Sequence, residues 1–364
     1  MDLSLAFLGT GGSVPTARRA TACLLVRRGG DRILFDCGEG AQRQMQCSTG
    51  LVQLDEIYIT HYHADHYLGL PGLLKTYDLQ DREAPLKIHG PPGLGELFKA
   101  LRRIMGRVAY DIQLIELQPA ESVPHDGYEI TPFPVEHRMA AYGYALIEED
   151  RPGRFDMERA RELGVPEGPA WGALQRGESV EGEAGTVIPS DVLGAPRPSR
   201  RVVITGDTAP CPGTAAMAAN AELLVHDASF ADEETARAAE TGHSTARQAA
   251  ELAAEAKTKL LALVHISSRY HVGAVLEEAR EAFEPTIAPR DFDLIDIPFP
   301  EKALPQLIKK GALQDQGPAE TSETTEPKAG PAAEASETPE PKAGPAAEAS
   351  EATEPKTGSA AEAD

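Results

Sequence analysis

Glu56-Ile57-Tyr58-Ile59-Thr60-His61-Tyr62-His63-Ala64-Asp65-His66 decides the reading of this chain, because an apolar strand runs directly into four metal-ligating side chains within six residues. Only 10 His are spread over 364 residues, so this density points to a site. In an extended or looped segment His61 and His63 project to the same side, while Asp65 and His66 follow on the turn before a helix expected to begin near Gly69. Two groups of ligands can thus face two adjacent metal ions. Imidazole nitrogen with carboxylate oxygen suits Zn²⁺, with Mn²⁺ or Fe as substitutes. The competing reading is a solvated polar loop or a pH-sensitive His cluster.

Further ligands are sought at other strand ends. Asp207 follows Val202-Val203-Ile204-Thr205-Gly206, His265 follows the apolar run Leu260 to Val264, and His137 follows Phe133-Pro134-Val135. Each sits at the carboxyl end of a strand, where open α/β sheets place their ligand crevices. Strands are also expected at Leu3 to Leu8, Leu86 to His89, Tyr142 to Ile147 and Glu222 to His226. A hairpin is expected from Ala22 to Val26 and Arg32 to Phe35. Helices are expected at Gly69 to Leu79, Gly93 to Met105, Ser244 to Ala256 with Ser244 as N-cap, and Val272 to Phe283. Hairpins followed by strand-helix alternation predict a layered α/β architecture with mixed sheets. Between Glu148 and Pro198 that pattern gives way to a stretch rich in Gly, Pro and charge, expected to be a long insertion with little core, either a functional arm or a disordered loop. Gly9, Gly11 and Gly12 form a glycine-rich turn that lets the chain bend close to the site. Their spacing is not GxGxxG and no Walker lysine follows, so no nucleotide cofactor is expected.

Composition narrows the function classes. The chain carries 35 Lys plus Arg against 57 Asp plus Glu, a formal net charge of -22, which is not the balance of a basic nucleic-acid-binding domain. Cys23, Cys37, Cys47 and Cys211 contain no CxxC pair, which excludes a thiolate zinc cluster and a disulfide framework as sequence readings. MDLSLAFLGTGG lacks the charged start and long apolar stretch of a signal peptide, and no apolar run reaches the roughly 18 residues of a membrane span. A cytoplasmic protein without membrane association is therefore expected. Residues 311–364 shift to Ala, Glu, Pro, Thr, Ser, Gly and Lys and repeat with a period of 14 from Glu326. The expectation there is a disordered, low-complexity acidic tail, either passively solubilising or competing with other polyanions.

Seven separated segments now fall into order: FLGTGGSVPT from Phe7, LFDCGEGAQRQM from Leu34, THYHADHYLGLPGLL from Thr60, TGDTAPC from Thr205, HDASF from His226, TGHSTARQAA from Thr241 and HISSRY from His265. Together they resemble the metallo-β-lactamase superfamily, whose HxHxDH signature is met by His61, His63, Asp65 and His66. Within it the chain is similar, over about residues 1–305, to the ribonuclease Z family of tRNA 3′-end processing endonucleases. The resemblance implies an α/β fold, an αββα sandwich over residues 1–310, with a protruding tRNA-binding arm at 148–198. It assigns His61, His63, His137 and Asp207 to one zinc and Asp65, His66, Asp207 and His265 to the other. That makes two Zn²⁺ per subunit, with Mn²⁺ as a substitute in vitro. Such a pair activates water and offsets charge on an attacked phosphate.

The resemblance also implies roles. Asp65 would accept the proton of the attacking water, and His243 with Asp227 would protonate the leaving group. The family has Glu and Thr where this chain has Asp227 and Ser229, so the shorter carboxylate is expected to sit farther from His243 unless the backbone shifts. Asp36 is expected to orient a ligand by a hydrogen bond, and His226 to be structural. Ser267 and Arg269 are candidates for contact with the RNA, Arg269 either gripping a phosphate or forming a surface salt bridge. Gly168 and Pro169 match the Gly-Pro motif of the arm, which in the family extends from one subunit of a homodimer and holds the precursor tRNA cleaved by the other. Residues 148–200 hold 7 Arg against 11 acidic residues, a balance that departs from what phosphate binding favours. Arg151, Arg154, Arg159 and Arg161 are the candidate local patch. The rival readings are a small-molecule phosphodiesterase or arylsulfatase on the same dizinc scaffold, and an RNA-binding protein that has lost catalysis.

Overall fold

A computed structural model describes residues 1–183 and 185–309; the tail expected at 311–364 lies outside the described residues. Six strands open the chain and lie in one sheet: β1 (Leu3–Gly9), β2 (Cys23–Arg28), β3 (Asp31–Phe35), β4 (Glu56–Tyr58), β5 (Leu86–Gly90) and β6 (Ile112–Glu116). A meander of β7 (Val123–His125), β8 (Tyr128–Pro134) and β9 (Tyr142–Glu148) then starts a second sheet. After an inserted segment with its own hairpin, β10 (Val180–Gly182) and β11 (Gly185–Val187), the second sheet is completed by β12 (Arg201–Ile204), β13 (Leu223–Asp227), β14 (Leu261–Val264) and β15 (Thr286–Ile287). Finally β16 (Leu294–Asp296) and β17 (Gln306–Ile308) return to the first sheet, β16 pairing antiparallel with β1.

β1 shows why the layers stack as they do. Its sequence LSLAFLG is apolar on both faces, as a central strand covered on both sides requires. Leu3, Leu5 and Phe7 point into the core between the sheets with Val26, Ile33, Tyr58, Tyr144, Val202 and Leu223. Ala6 and Leu8 point outward to the layer of helices Leu70–Leu79 and Leu94–Met105. The second sheet is covered in turn by helices Ala246–Ala256 and Val272–Ala282. The buried face of the first of these is nearly all alanine, which lets the helix lie close on the sheet. These are the αββα layers the sequence led us to expect.

Two expectations are corrected. Helix Ala246–Ala256 is capped by Thr245, whose side chain accepts from the Gln248 amide while Gln248 reaches back in a capping box; the Ser244 hydroxyl instead donates to the Thr208 carbonyl at 2.7 Å. The insertion, read as poor in core because of its Gly and Pro, builds a small one of its own. Ala160, Val165, Leu174, Val187 and Val192 are buried there, with Phe155 and Trp171 packed against them.

In each sheet a parallel set of strands, β3 to β6 and β12 to β15, sends its carboxyl ends to the same edge of the sandwich. Loops leaving those ends carry the candidate ligands.

Candidate metal centre

Thr60 ends the segment after β4, and the following residues deliver His61, His63, Asp65 and His66 into the gap between the sheets. His137 arrives from the loop after β8, Asp207 from the loop after β12 and His265 from the end of β14. These seven residues form two groups sharing Asp207: His61, His63, His137 and Asp207, and Asp65, His66, Asp207 and His265. Within each group the ligating atoms lie within 4.8 Å of one another. In the first group His63 Nδ1 is 3.0 Å from His61 Nε2 and 3.2 Å from His137 Nε2. In the second, His265 Nε2 is 3.2 Å from Asp65 Oδ2 and 3.4 Å from Asp207 Oδ2, and His66 Nε2 is 3.4 Å from Asp207 Oδ1.

Neighbouring groups set which ring nitrogen faces inward. His66 Nδ1 donates to Asp36 Oδ2 at 2.7 Å, as expected of Asp36, and His137 Nδ1 donates to the Gly242 carbonyl at 2.7 Å. Each bond fixes a tautomer that turns the Nε2 lone pair towards the centre. Burial pushes the imidazoles of His61 and His63 down, and the neighbouring His66 and His137 respectively add to the effect. Neutral rings are what a metal needs.

The arrangement fits a cation. The buried Nε2 of His66 has no hydrogen-bond partner, and it faces carboxylate oxygens of Asp207 and Asp65. A lone pair aimed at carboxylates in a low-dielectric interior is repulsive unless a proton or a metal cation lies between them. Asp36 (φ 57°) and His265 (φ 60°) both hold left-handed backbone, a conformation that non-glycine residues adopt where surrounding structure demands it.

Beside the ligands, His243 Nδ1 lies 2.8 Å from Asp227 Oδ2. The shorter carboxylate therefore does not open the pair as expected. The Asp227 carboxylate is held at the end of β13 by the Ser229 amide at 2.9 Å and the Thr208 amide at 3.2 Å. Burial opposes a charge on His243, but the hydrogen bond to Asp227 and its charge outweigh it, so the ring holds its proton above the ordinary imidazole range. His226 points away, wholly buried, with Nδ1 on the Asp227 carbonyl.

The remaining sequence candidates lie elsewhere. Arg269 is an exposed residue whose guanidinium meets Glu234 at 3.3 Å, and the Ser267 hydroxyl accepts from its Nε at 3.3 Å. Of the two readings of Arg269, the salt bridge is the one formed. Gly168 and Pro169 are exposed at the start of helix Pro169–Gln175 in the insertion. Three of the insertion's arginines rest on carboxylates: Arg151 pairs with Glu301, Arg159 with Glu162 and Arg161 with Glu167.

One contributor carries no sequence signal. Asp291 accepts from the Thr10 amide and hydroxyl, the Ala20 amide and Gln44 Nε2, so it pins the glycine-rich turn in place. There the Ser13 amide reaches His265 Nε2 at 3.3 Å. A Cβ on Gly12 would lie 2.6 Å from the His265 carbonyl oxygen, so the turn needs glycine at that close approach.

The profile of the metallo-β-lactamase superfamily matches residues 16–265. The chain is 50% identical over 308 residues to a ribonuclease Z of Halorubrum lacusprofundi, covering 83% of this chain and 99% of that protein. It is 48% identical over 287 residues to a ribonuclease Z of Myxococcus xanthus, covering 78% and 93%. Among solved structures it superposes on the short form of human tRNase Z with a TM-score of 0.59 at 26% identity, over 81% of this chain and 99% of that one.

Proposed function

The chain belongs to the metallo-β-lactamase superfamily and, within it, to the ribonuclease Z family, and from that premise we propose that each subunit binds two Zn²⁺ through the seven residues described above. It is an endoribonuclease acting in tRNA 3′-end processing. The observation that carries the metal reading is the convergence of seven ligating side chains on two groups sharing Asp207. Bound there, a metal pair supplies a nucleophile from water at neutral pH and offsets charge growing on the attacked phosphate.

The chain's own residues complete the chemistry. Asp65 stands 3.2 Å from His265 and 3.6 Å from His66, and its carboxylate accepts the proton of the attacking water. His243, held by Asp227, gives its proton to the leaving oxygen. Asp36 and the Gly242 carbonyl keep His66 and His137 turned inward. The substrate is the precursor tRNA with its 3′ trailer, recognised largely by its folded shape. The insertion, with Gly168 and Pro169 at its surface, is the arm that grips it.

We assign the working assembly as a homodimer in the cytoplasm, the arm of one subunit serving the centre of the other. All four cysteines are free, which accords with a reducing compartment. No helix of the described residues is long and apolar enough to cross a membrane.

The test is cleavage of a precursor tRNA transcript with added Zn²⁺ or Mn²⁺. The wild type should give one cut that releases the trailer, and Asp65→Ala should not. Mixing an arm-deleted subunit with an Asp65→Ala subunit should restore cleavage if arm and centre act across the dimer. Hydrolysis of a small phosphodiester without RNA cleavage would move the assignment to the phosphodiesterase reading.

A further inference from the structure

Asp227 is wholly buried, and four donors surround its two oxygens. Oδ1 accepts from the Ser229 amide at 2.9 Å and the Ser229 hydroxyl at 2.6 Å; Oδ2 accepts from the Thr208 amide at 3.2 Å and from His243 Nδ1 at 2.8 Å. An ionised carboxylate can only accept, so these contacts fix the direction of each hydrogen around it. With its O–H committed to Asp227, the Ser229 oxygen has only lone pairs left to offer. His265 Nδ1 lies 2.7 Å from that oxygen, whereas His243 Nδ1 is at 3.2 Å and already closer to Asp227. The Ser229 oxygen therefore accepts the Nδ1 hydrogen of His265. That bond leaves the lone pair of His265 on Nε2, the atom facing Asp65 and Asp207.

We propose that Ser229 is the positioning residue that ties the metal-facing ring of His265 and the proton-donating ring of His243 to the single carboxylate of Asp227. The two imidazoles are stacked, with centroids 5.3 Å apart and planes at 13°, as a common brace would set them. The inference rests on the ligand role of His265 and the acid role of His243 given above.

Two details of the sequence explain why the brace is built from Asp and Ser. The short Asp227 side chain curls back onto the amide two residues ahead, a turn that Asp favours. That fold places the carboxylate against residue 229, where a hydroxyl can reach both it and His265. Ligating atoms of Asp227, His243 and His265 also come within 4.8 Å of one another, but Nδ1 of both rings and both carboxylate oxygens are engaged by protein hydrogen bonds. Their closeness needs no third cation.

The hydroxyl is isolated by comparing Ser229→Thr with Ser229→Val, side chains of nearly equal shape that differ in the O–H. On the purified full-length zinc protein, two quantities are measured: the rate at which zinc passes to a colorimetric chelator, and kcat and KM for precursor tRNA. The expectation is that Ser229→Val releases one zinc equivalent on the order of 10 to 100 times faster, the usual effect of losing an outer partner of a ligating His. Its kcat should fall while KM stays unchanged, and Ser229→Thr should keep both quantities near wild type. Equal behaviour of the Thr and Val variants overturns the proposal. His265→Ala separates its failure from that of the ligand reading. If His265→Ala sheds a zinc equivalent and Ser229→Val does not, the brace alone is wrong; if His265→Ala keeps both, the ligand assignment falls and the brace with it.

Discussion

Asp207 and Glu148 are buried carboxylates at opposite ends of the same pair of strands, β12 and β9, yet their surroundings are opposed. Glu148 is held by guanidinium groups: Oε1 accepts from Arg28 at 2.8 Å and Arg200 at 2.7 Å, and Oε2 accepts from Arg200 at 2.7 Å. The remaining arginine donors go to the backbone carbonyls of Asp126, Gly127, Met1 and Ile297. Asp207 faces the imidazole nitrogens of His61, His66 and His265 at 3.7, 3.4 and 3.4 Å. One end of the ladder carries its own countercharge; the other is arranged for a charge brought from outside. The first pattern clips the two sheets together, because Arg28 belongs to β2 and Glu148 to β9. The second keeps a reactive gap open between them.

Breaking the open end should have the largest effect. Asp207→Ala removes the carboxylate common to both groups, and cleavage of precursor tRNA should fall by at least about a thousandfold, the upper range for losing a group that stabilises transition-state charge. Circular dichroism of the metal-free variant should match that of the metal-free wild type. A lost fold would mean that Asp207 is structural in the way Glu148 is.

Breaking the closed end should cost stability and spare chemistry. Glu148→Gln leaves two buried guanidinium groups without a countercharge, and urea unfolding should show a loss of about 3 to 5 kcal/mol. Activity per folded molecule should stay at the wild-type level. Burial works against the Glu148 charge, but the hydrogen bonds of Arg200 and Arg28 outweigh it and hold the carboxyl below its ordinary range. With the folded value depressed, the stabilisation is fully present above the unfolded pKa of about 4.3 and is lost as pH falls through the lower folded value. The gap between wild type and Glu148→Gln should thus narrow on acidification below about pH 4. A constant gap down to pH 2 would contradict the ionic account.

The smallest of the three effects sharpens the comparison at one backbone position. Gly12→Ala forces a methyl against His265, with 2.6 Å to its carbonyl oxygen and 2.8 Å to Nδ1. Overpacking of this kind costs about 1 to 3 kcal/mol. It should show as faster zinc loss and a reduced kcat. An unchanged rate of zinc loss would show that the turn yields and leaves the ring in place.

What the sequence revealed of this molecule follows the range of the interactions. His61, His63, Asp65 and His66 stand within six residues of one another after a strand, so they were legible as a group. Asp207, His137 and His265 were found because strand ends in α/β sheets are where such groups collect. The Glu148 clip was not legible: Arg28 and Glu148 lie 120 positions apart, and no local pattern marks either. Asp291, 281 positions from Thr10, escaped for the same reason. In the sequence Ser229 stands out only as a substitution beside Asp227, since the ring it meets lies 36 positions away. At the insertion composition misleads, because a few buried residues around Val165 and Leu174 suffice to order a small unit rich in Gly and Pro.

The arginines of the insertion have a consequence for how the enzyme meets salt. Arg159, Arg161 and Arg176 each rest on a glutamate of the same segment, at 2.9, 2.8 and 2.9 Å. A polybasic surface gains much of its hold on RNA by freeing ions condensed on the phosphates, so its grip collapses as ionic strength rises. Here a phosphate meeting one of these guanidiniums must displace a carboxylate already in place, and the net release of ions is small. If the insertion grips tRNA as proposed above, contact made in this way would be weak at low salt but nearly flat against it, leaving shape to decide which RNA is held.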